Sequence, residues 1–308
     1  MSELPQPILE ALDGPIAAAV RWAGAISRQL RRFDVSVSGK TSGNANTDAL
    51  TLADLTVQEL LISALRDVDP GFRNYRMEAE ESTGDLHLFA DQAELTISLD
   101  PIDGTKQFRD RTGDGYGVLL HLRDELNVVY SLAFLPEMGE YGTWVHAYGQ
   151  TIKCGPDDPG RPAGEVIAAL PAVDSATRPH SKKIYLIGFQ QRDLERAQAV
   201  SEAGLEGYAP DDMPGSIYPL MATGDFGGSL IHTPNVYDFP LSLHIARILG
   251  GDAVWVDSGR PVDFRESWLD DRADMLRLPG IVACAVNRDD LQTLVDLARD
   301  WNPIRYAE

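Results

Sequence analysis

Three observations predict a layered α/β (α+β) fold for this sequence. Apolar residues recur at helical spacing from Ile8 to Leu30, through Leu12, Ile16, Val20, Ala23 and Ile26. Leu95-Thr96-Ile97-Ser98-Leu99 alternates as a strand does. Segments of both kinds interleave along the 308 residues, and hydrophobic residues make up 44%, enough for a substantial core and too many for a disordered chain.

The first helix closes on Arg31-Arg32, cations placed at the negative end of its dipole. A polar loop with Gly and Asn follows from Ser38 to Thr47. The spacing predicts a second helix from near Thr51 to about Val68, stopped by Asp69-Pro70-Gly71. Gly117 to Leu122 and Asn127 to Pro136 read as paired strands, with Gly142 to Tyr148 as a third. The Pro-, Gly- and Asp-rich stretch from Gly155 to Gly164 marks a domain boundary. It divides an N-terminal α+β domain, 1–154, from a C-terminal α/β domain, 155–308. The second half carries a strand at Ile184 to Ile187, a helix from Arg192 to Ala203 and a helix ending between Met221 and Phe226. A helix from Leu241 to Leu249 is capped by Gly250-Gly251. A strand at Ala253 to Val256 and a helix from Asp289 to Asp300 finish the chain. There is no internal repeat.

Lys and Arg total 27 against 47 Asp and Glu, a formal net charge of -20. Such a field repels polyanions, which argues against nucleic-acid polymers and anionic membranes as partners. Cys154 and Cys284 are the only cysteines, too few for a disulfide framework or a Cys-rich zinc site. With no basic-then-apolar leader and no long apolar run, the expectation is a soluble cytoplasmic protein.

The chemistry concentrates at Leu99-Asp100-Pro101-Ile102-Asp103-Gly104-Thr105. Pro101 fixes its own φ and biases Asp100 towards extended backbone. Gly104 permits a sharp turn beside a ligand. Two carboxylates three residues apart, with the Ile102 carbonyl between them, suit one or two hard cations such as Mg²⁺. A helix opening at Thr105 would add backbone amides for a phosphate. The same residue types also make an ordinary surface turn. A phospho-aspartate mechanism would need an aspartate where Pro101 stands. None of the six histidines forms a zinc-type pair, and His232 reads as structural or exposed. Gly113-Asp114-Gly115-Tyr116-Gly117 lacks the spacing and the following helix of a dinucleotide fingerprint.

Asp-Pro-Ile-Asp-Gly-Thr resembles the central motif of the inositol monophosphatase superfamily, and other segments agree with it in order. Met77-Glu78-Ala79-Glu80-Glu81-Ser82 is similar to its Gly-Glu-Glu-Ser segment, with Ala79 in place of the usual Gly. Asp48-Ala49-Leu50-Thr51-Leu52-Ala53-Asp54, preceded by Lys40, resembles its Asp-Xaa-Xaa-Thr-Xaa-Xaa-Asp. Gly215-Ser216 and Pro234-Asn235-Val236-Tyr237-Asp238 resemble its Gly-Ser and Trp-Asp segments, with Tyr237 in place of Trp. The resemblance spans about residues 40–263. Without it, the glutamate cluster reads as a solvated charge run, Thr51 as a helix cap and Asp238 as the N-cap of the helix after it.

The resemblance implies an αβαβα sandwich of the inositol monophosphatase and sugar phosphatase type, inhibition by Li⁺ and a homodimer. It also implies hydrolysis of a small phosphorylated metabolite by water activated with two or three Mg²⁺ ions. Glu80, Asp100, Ile102 through its carbonyl, Asp103 and Asp238 would bind metal. Glu78 and Glu81 stand close enough to compete for the role of Glu80. Thr105, with Asp54 behind it, would orient the attacking water. Asp103, Gly104, Thr105, Gly215 and Ser216 would face the substrate. Lys106-Gln107-Phe108 looks most like the 3'(2'),5'-bisphosphate nucleotidase branch, while Tyr237-Asp238 looks more like histidinol phosphatases. Ile231 stands where inositol-specific members carry a carboxylate. A regulatory metal-binding protein on this scaffold is the alternative of another class.

Overall fold

The computed structural model describes residues 4–33, 36–37 and 50–306. The polar loop from Ser38 to Thr47, with Lys40 and Asp48 of the motif, lies outside the described residues.

Helix α1 (Gln6–Ala11) leads through a π turn at Leu12–Ile16 into α2 (Ala17–Leu30). The sequence predicts one uninterrupted helix here. Pro15 cannot donate a backbone hydrogen bond, and the chain absorbs it by widening one turn. Helix α3 (Leu52–Val68) begins where its cap predicts.

The first sheet runs in the order β1-β2-β3-β4-β5-β6, formed by Arg76–Ala79, Thr96–Asp103, Gly117–Arg123, Val128–Leu135, Thr143–Tyr148 and Thr151–Pro156. Its β1 and β2 are parallel and the other neighbours antiparallel. The short helix α4 (Thr105–Asp110) follows β2 directly. Helix α5 (Ala163–Ala169) packs against the π turn and α2.

The second sheet has the order β10-β13-β9-β7-β8. Its strands are β7 (Lys183–Ile187), β8 (Glu206–Tyr208), β9 (Gly228–His232), β10 (Asp252–Trp255) and β13 (Ile281–Ala285). Between them lie α6 (Asp193–Glu202), α7 (Ile217–Thr223) and α8 (Phe239–Ile248), with α9 (Arg288–Ala298) closing the chain. A hairpin of β11 (Trp268–Asp270) and β12 (Met275–Arg277) stands apart from both sheets. Gly250 and Gly251 cap α8 as expected, their amides donating to the Arg247 and Ala246 carbonyls.

Alternation along the strands sorts the layers. Ile97, Leu99, Val118 and Leu120 face α1–α3, with Leu12, Ile16, Leu61 and Leu65. Leu119, Ala133 and Val145 face the other way, onto Tyr218 and Met221 of α7 and Leu241 and Ile245 of α8. The far side of the second sheet packs Leu186, Leu230 and Ala283 on α6 and α9. The result is the expected αβαβα stack. Among the described residues no helix is long and apolar enough to cross a membrane.

Candidate active site

Strand β2 delivers the first acids. Its inter-strand register with β3 breaks between Asp100 and Asp103, where Pro101 cannot donate to the ladder. Gly104 then takes a left-handed conformation, φ 82°, that side-chain-bearing residues adopt only at a cost, and α4 starts at Thr105. Asp238 arrives from the start of α8. Carboxylate oxygens of Asp100, Asp103 and Asp238 all lie within 4.8 Å of one another. They share a cleft of about 180 Å³ with Glu80, Ile102, Gly104, Thr105, Gly215 and Ser216. Every residue assigned from sequence to metal or substrate therefore reaches one cavity.

The neighbouring glutamates separate cleanly. Glu78 is held by Arg123 and Arg76, the latter at 3.1 Å. The Glu81 amide donates to the Gln58 side chain at 2.9 Å. Glu80 is the one that lines the cleft, close enough to Asp100 to raise its pKa.

The charges of this acidic wall are not neutralised in place. Asp100 is buried, its Oδ1 has no hydrogen-bond partner, and its pKa stands well above the usual carboxylate range. Burial is the main cause, with Glu80, Asp103 and Asp238 adding repulsion. Burial also raises Asp103, and Asp238 repels it; hydrogen bonds from the Tyr218 hydroxyl and the Gly104 amide oppose the rise. Asp238 is pushed to about 6, again chiefly by burial, against a hydrogen bond from Asn235 and the nearby charge of Arg277. Clustered carboxylates with raised pKa values fit hard divalent cations, which supply the missing positive charge.

Behind this wall, Asp54 is fully buried in the first turn of α3. Its Oδ2 accepts the Thr51 amide at 2.8 Å and the Thr51 hydroxyl at 2.6 Å. Its Oδ1 lies 3.1 Å from the Thr105 hydroxyl, which is also 2.8 Å from the Ile102 carbonyl. Burial lifts Asp54 to about 6, against the lowering effect of Thr51. Ser216 is buried with its Oγ lacking a partner.

Asp238 stands at the N-cap position of α8, but its side chain caps nothing. Pro240, two residues into the helix, has no N–H to receive. Asn235 organises the turn instead, its Oδ1 accepting the Tyr237 and Asp238 amides and its Nδ2 donating to Asp238 Oδ2 at 2.8 Å. His232 is buried, with Nε2 3.0 Å from the Asn302 carbonyl.

Sequence reasoning missed Asn235, Tyr218, Arg277 and Arg305, all of which line the cleft. Asn235 had a local signal, an Asx turn three residues before Asp238. The others sit alone in their segments and become visible only when the chain folds.

A layered fold whose cleft gathers acidic oxygens beside a Thr–Asp pair suits the hydrolysis of phosphoric monoesters. The family model described as the inositol monophosphatase family matches residues 9–185. The chain belongs to that family. Solved structures agree in fold. Staphylococcal inositol monophosphatase-1 in a LiCl-soaked inhibitory complex is 14% identical with a TM-score of 0.67, covering 99% of this chain and 100% of that one. An IMPase/NADP phosphatase complexed with NADP and Ca²⁺ is 14% identical with a TM-score of 0.65, covering 98% and 99%. CysQ from Bacteroides thetaiotaomicron is 18% identical with a TM-score of 0.59, covering 91% and 98%. No curated protein matches the sequence.

Proposed function

We propose that the chain is a Mg²⁺-dependent phosphomonoesterase for a small phosphorylated metabolite. The carrying observation is the set of three carboxylates within 4.8 Å of one another, raised in pKa and open to a cleft. Asp100, Asp103 and Asp238, with Glu80 and the Ile102 carbonyl, would hold two or three Mg²⁺ ions. Ile102 retains a lone pair for this role, since one Thr105 hydroxyl does not exhaust a carbonyl. Bound cations supply electrostatic stabilisation of phosphate oxygens and make water acidic enough to attack at neutral pH.

The chain's own residues do the rest. The Thr105 hydroxyl orients the attacking water, and Asp54 behind it fixes the direction of the Thr105 hydrogen bond. The turn at Gly104 brings the Thr105 amide to the non-bridging oxygens, the Gly104 amide itself being engaged by Asp103, while Gly215 and the unpartnered hydroxyl of Ser216 face the leaving alcohol. The half 1–154 carries most of the acids and 155–308 supplies Asp238 and the leaving-group side. Ile231 lines the cleft, so an apolar side chain meets substrate where inositol-specific members have a carboxylate. Li⁺ inhibition is expected on the same reading.

Phosphate release from adenosine 3',5'-bisphosphate, inositol 1-phosphate, fructose 1,6-bisphosphate and histidinol phosphate tests it. Each is assayed with Mg²⁺, with Mg²⁺ plus Li⁺ and with EDTA. Turnover that needs Mg²⁺ and falls with Li⁺ supports the proposal; silence with every compound rejects it.

A further inference from the structure

The cleft has a second wall of opposite sign. Arg277, at the end of β12, and Arg305, near the C-terminus, both line it, and both are more than nine-tenths buried. Between them sits one buried acid, Asp270. Its Oδ2 accepts Arg277 Nε at 2.8 Å and the Tyr306 hydroxyl at 2.8 Å, and lies 3.8 Å from Arg305 Nε. Two guanidinium charges thus meet at one carboxylate; Arg277 also acts on Asp238 across the cleft, and Arg305 on the buried Asp193.

Donor capacity is also left over. Arg277 Nη1 donates to the Thr233 carbonyl at 3.1 Å, but Nη2 has only the Met275 thioether, a weak acceptor, at 3.2 Å. Arg305 spends Nη1 on the His232 carbonyl at 2.8 Å and the Thr233 hydroxyl at 2.9 Å, while its buried Nε makes no hydrogen bond. A buried, charged donor without an acceptor is costly unless a ligand completes it. Burial and the repulsion of Arg277 pull Arg305 down to about 10, against the raising effect of Tyr306 and Asp270.

We infer that Arg277 and Arg305 form a subsite for a second anionic group, a phosphate or carboxylate, on a substrate whose scissile phosphate lies at the acidic wall. The inference rests on the phosphatase reading above and narrows its substrate class to metabolites carrying two anionic groups, such as bisphosphates. Guanidinium pairs suit this task because their planar donors match phosphate and carboxylate oxygens. A substrate with a cationic tail would meet two arginines there. The subsite comes from the β11–β12 hairpin and the C-terminal segment, distant in sequence from every motif at the acidic wall.

The alternative role for both arginines is to pin His232-Thr233, where Thr233 holds a left-handed φ of 47° that a β-branched residue adopts only under constraint. The test separates the two roles. Wild type, Arg305→Gln, Arg305→Lys and Arg277→Lys are assayed on matched pairs, adenosine 3',5'-bisphosphate against adenosine 3'-phosphate and fructose 1,6-bisphosphate against fructose 1-phosphate. Binding of inorganic phosphate in EDTA is measured by calorimetry on the same proteins. In Arg305→Gln the bisphosphate kcat/KM falls roughly 10- to 100-fold through KM, the loss of one charged hydrogen bond, with the monophosphate partner within about twofold. Arg305→Lys recovers part of the bisphosphate preference and Arg277→Lys keeps only part of it, and phosphate binding in EDTA weakens in step with each loss. Equal losses on both members of a pair would make the arginines purely structural and overturn the subsite. So would a preference for the monophosphates in wild type. If no compound turns over but metal-free wild type binds phosphate and Arg305→Gln does not, the phosphatase reading fails and the subsite stands.

Discussion

Asp54 Oδ1 lies 3.1 Å from the Thr105 hydroxyl across 51 residues of sequence, joining the first turn of α3 to the first turn of α4. Both residues serve local structure, Asp54 as the acid of a capping box and Thr105 by bonding the Ile102 carbonyl. Their contact adds a direction for the Thr105 hydroxyl, which faces the cleft. Asp54→Asn keeps an oxygen for the Thr51 amide but loses the carboxylate. Its kcat should fall about 10²- to 10⁴-fold, the usual worth of a positioned proton-transfer group, with KM and melting temperature nearly unchanged. Thr105→Ala should behave alike and the double variant no worse, because the two act as one unit. Steady-state kinetics on the three proteins decide; additive losses would separate the pair.

The acidic wall should destabilise the metal-free protein. Thermal melting in EDTA should rise by a few degrees in Asp238→Asn, about the effect of 1 kcal/mol in a chain of this size, since one of the mutually repelling carboxylates becomes neutral. Mg²⁺ should then stabilise wild type by about 2.7 kcal/mol at 100 times its Kd and the variant by less, since Glu80, Asp100, Asp103 and Ile102 remain. Equal Mg²⁺ shifts in both proteins would remove Asp238 from the metal site.

How much of this could be read in the sequence followed distance along the chain. Thr51 and Asp54 announce a helix start because capping is settled within one turn. Asp100, Asp103 and Thr105 are legible because strand, turn and helix follow without interruption. Strand β6 was missed since Lys153, Cys154 and Gly155 break its alternation, and pairing with β5 supplies the order that propensity does not. β1, β8, β9, β11, β12 and β13 escaped as well, all of them three to five residues long. Arg277 and Arg305 carried no signal: each is an isolated cation in its own segment. Only the packing of β12 and the C-terminal segment around Asp270 brings them to the cleft.

A polar row crosses the first sheet in register, Ser98 beside His121 beside Ser131, with His244 of α8 2.9 Å from Ser131. His121 is fully buried with neither ring nitrogen partnered, and burial holds its pKa well below the usual value; His244 is pushed to about 3. A base depressed in the folded state refuses a proton that the unfolded chain takes near pH 6.5. Its stabilising contribution is therefore complete above about pH 6.5 and is lost as pH falls towards the folded pKa. His121→Leu, which removes one such base and two unpaired nitrogens, should melt higher than wild type at pH 7, by the equivalent of about 1–3 kcal/mol. The gap should widen as pH is lowered from 7 to 4. Comparing the two proteins cancels the opposite trend of the raised carboxylates, and a gap that narrows in acid would reject the account.

Gly115 belongs to the glycine-rich segment that failed as a dinucleotide fingerprint, and its use is a close approach of backbones. A Cβ there would stand 2.6 Å from both the Gly215 carbonyl carbon and the Ser216 amide nitrogen. Neither atom can rotate away as a side chain could, so Gly115→Ala must push the Gly215-Ser216 segment aside. That segment opens α7, which carries Tyr218 and its hydrogen bond to Asp103, and it presents Ser216 to the leaving group. Asp100 and the Asp54–Thr105 pair lie on other elements and keep their places. Gly115→Ala should therefore raise KM and lower kcat/KM, with kcat at saturation less affected and Mg²⁺-induced stabilisation retained. A misplacement of about 1 Å is enough to cost on the order of 10²-fold in such a site. Wild-type kinetics in Gly115→Ala would show that the leaving-group side tolerates the shift, and would remove Gly215 and Ser216 from the substrate contacts.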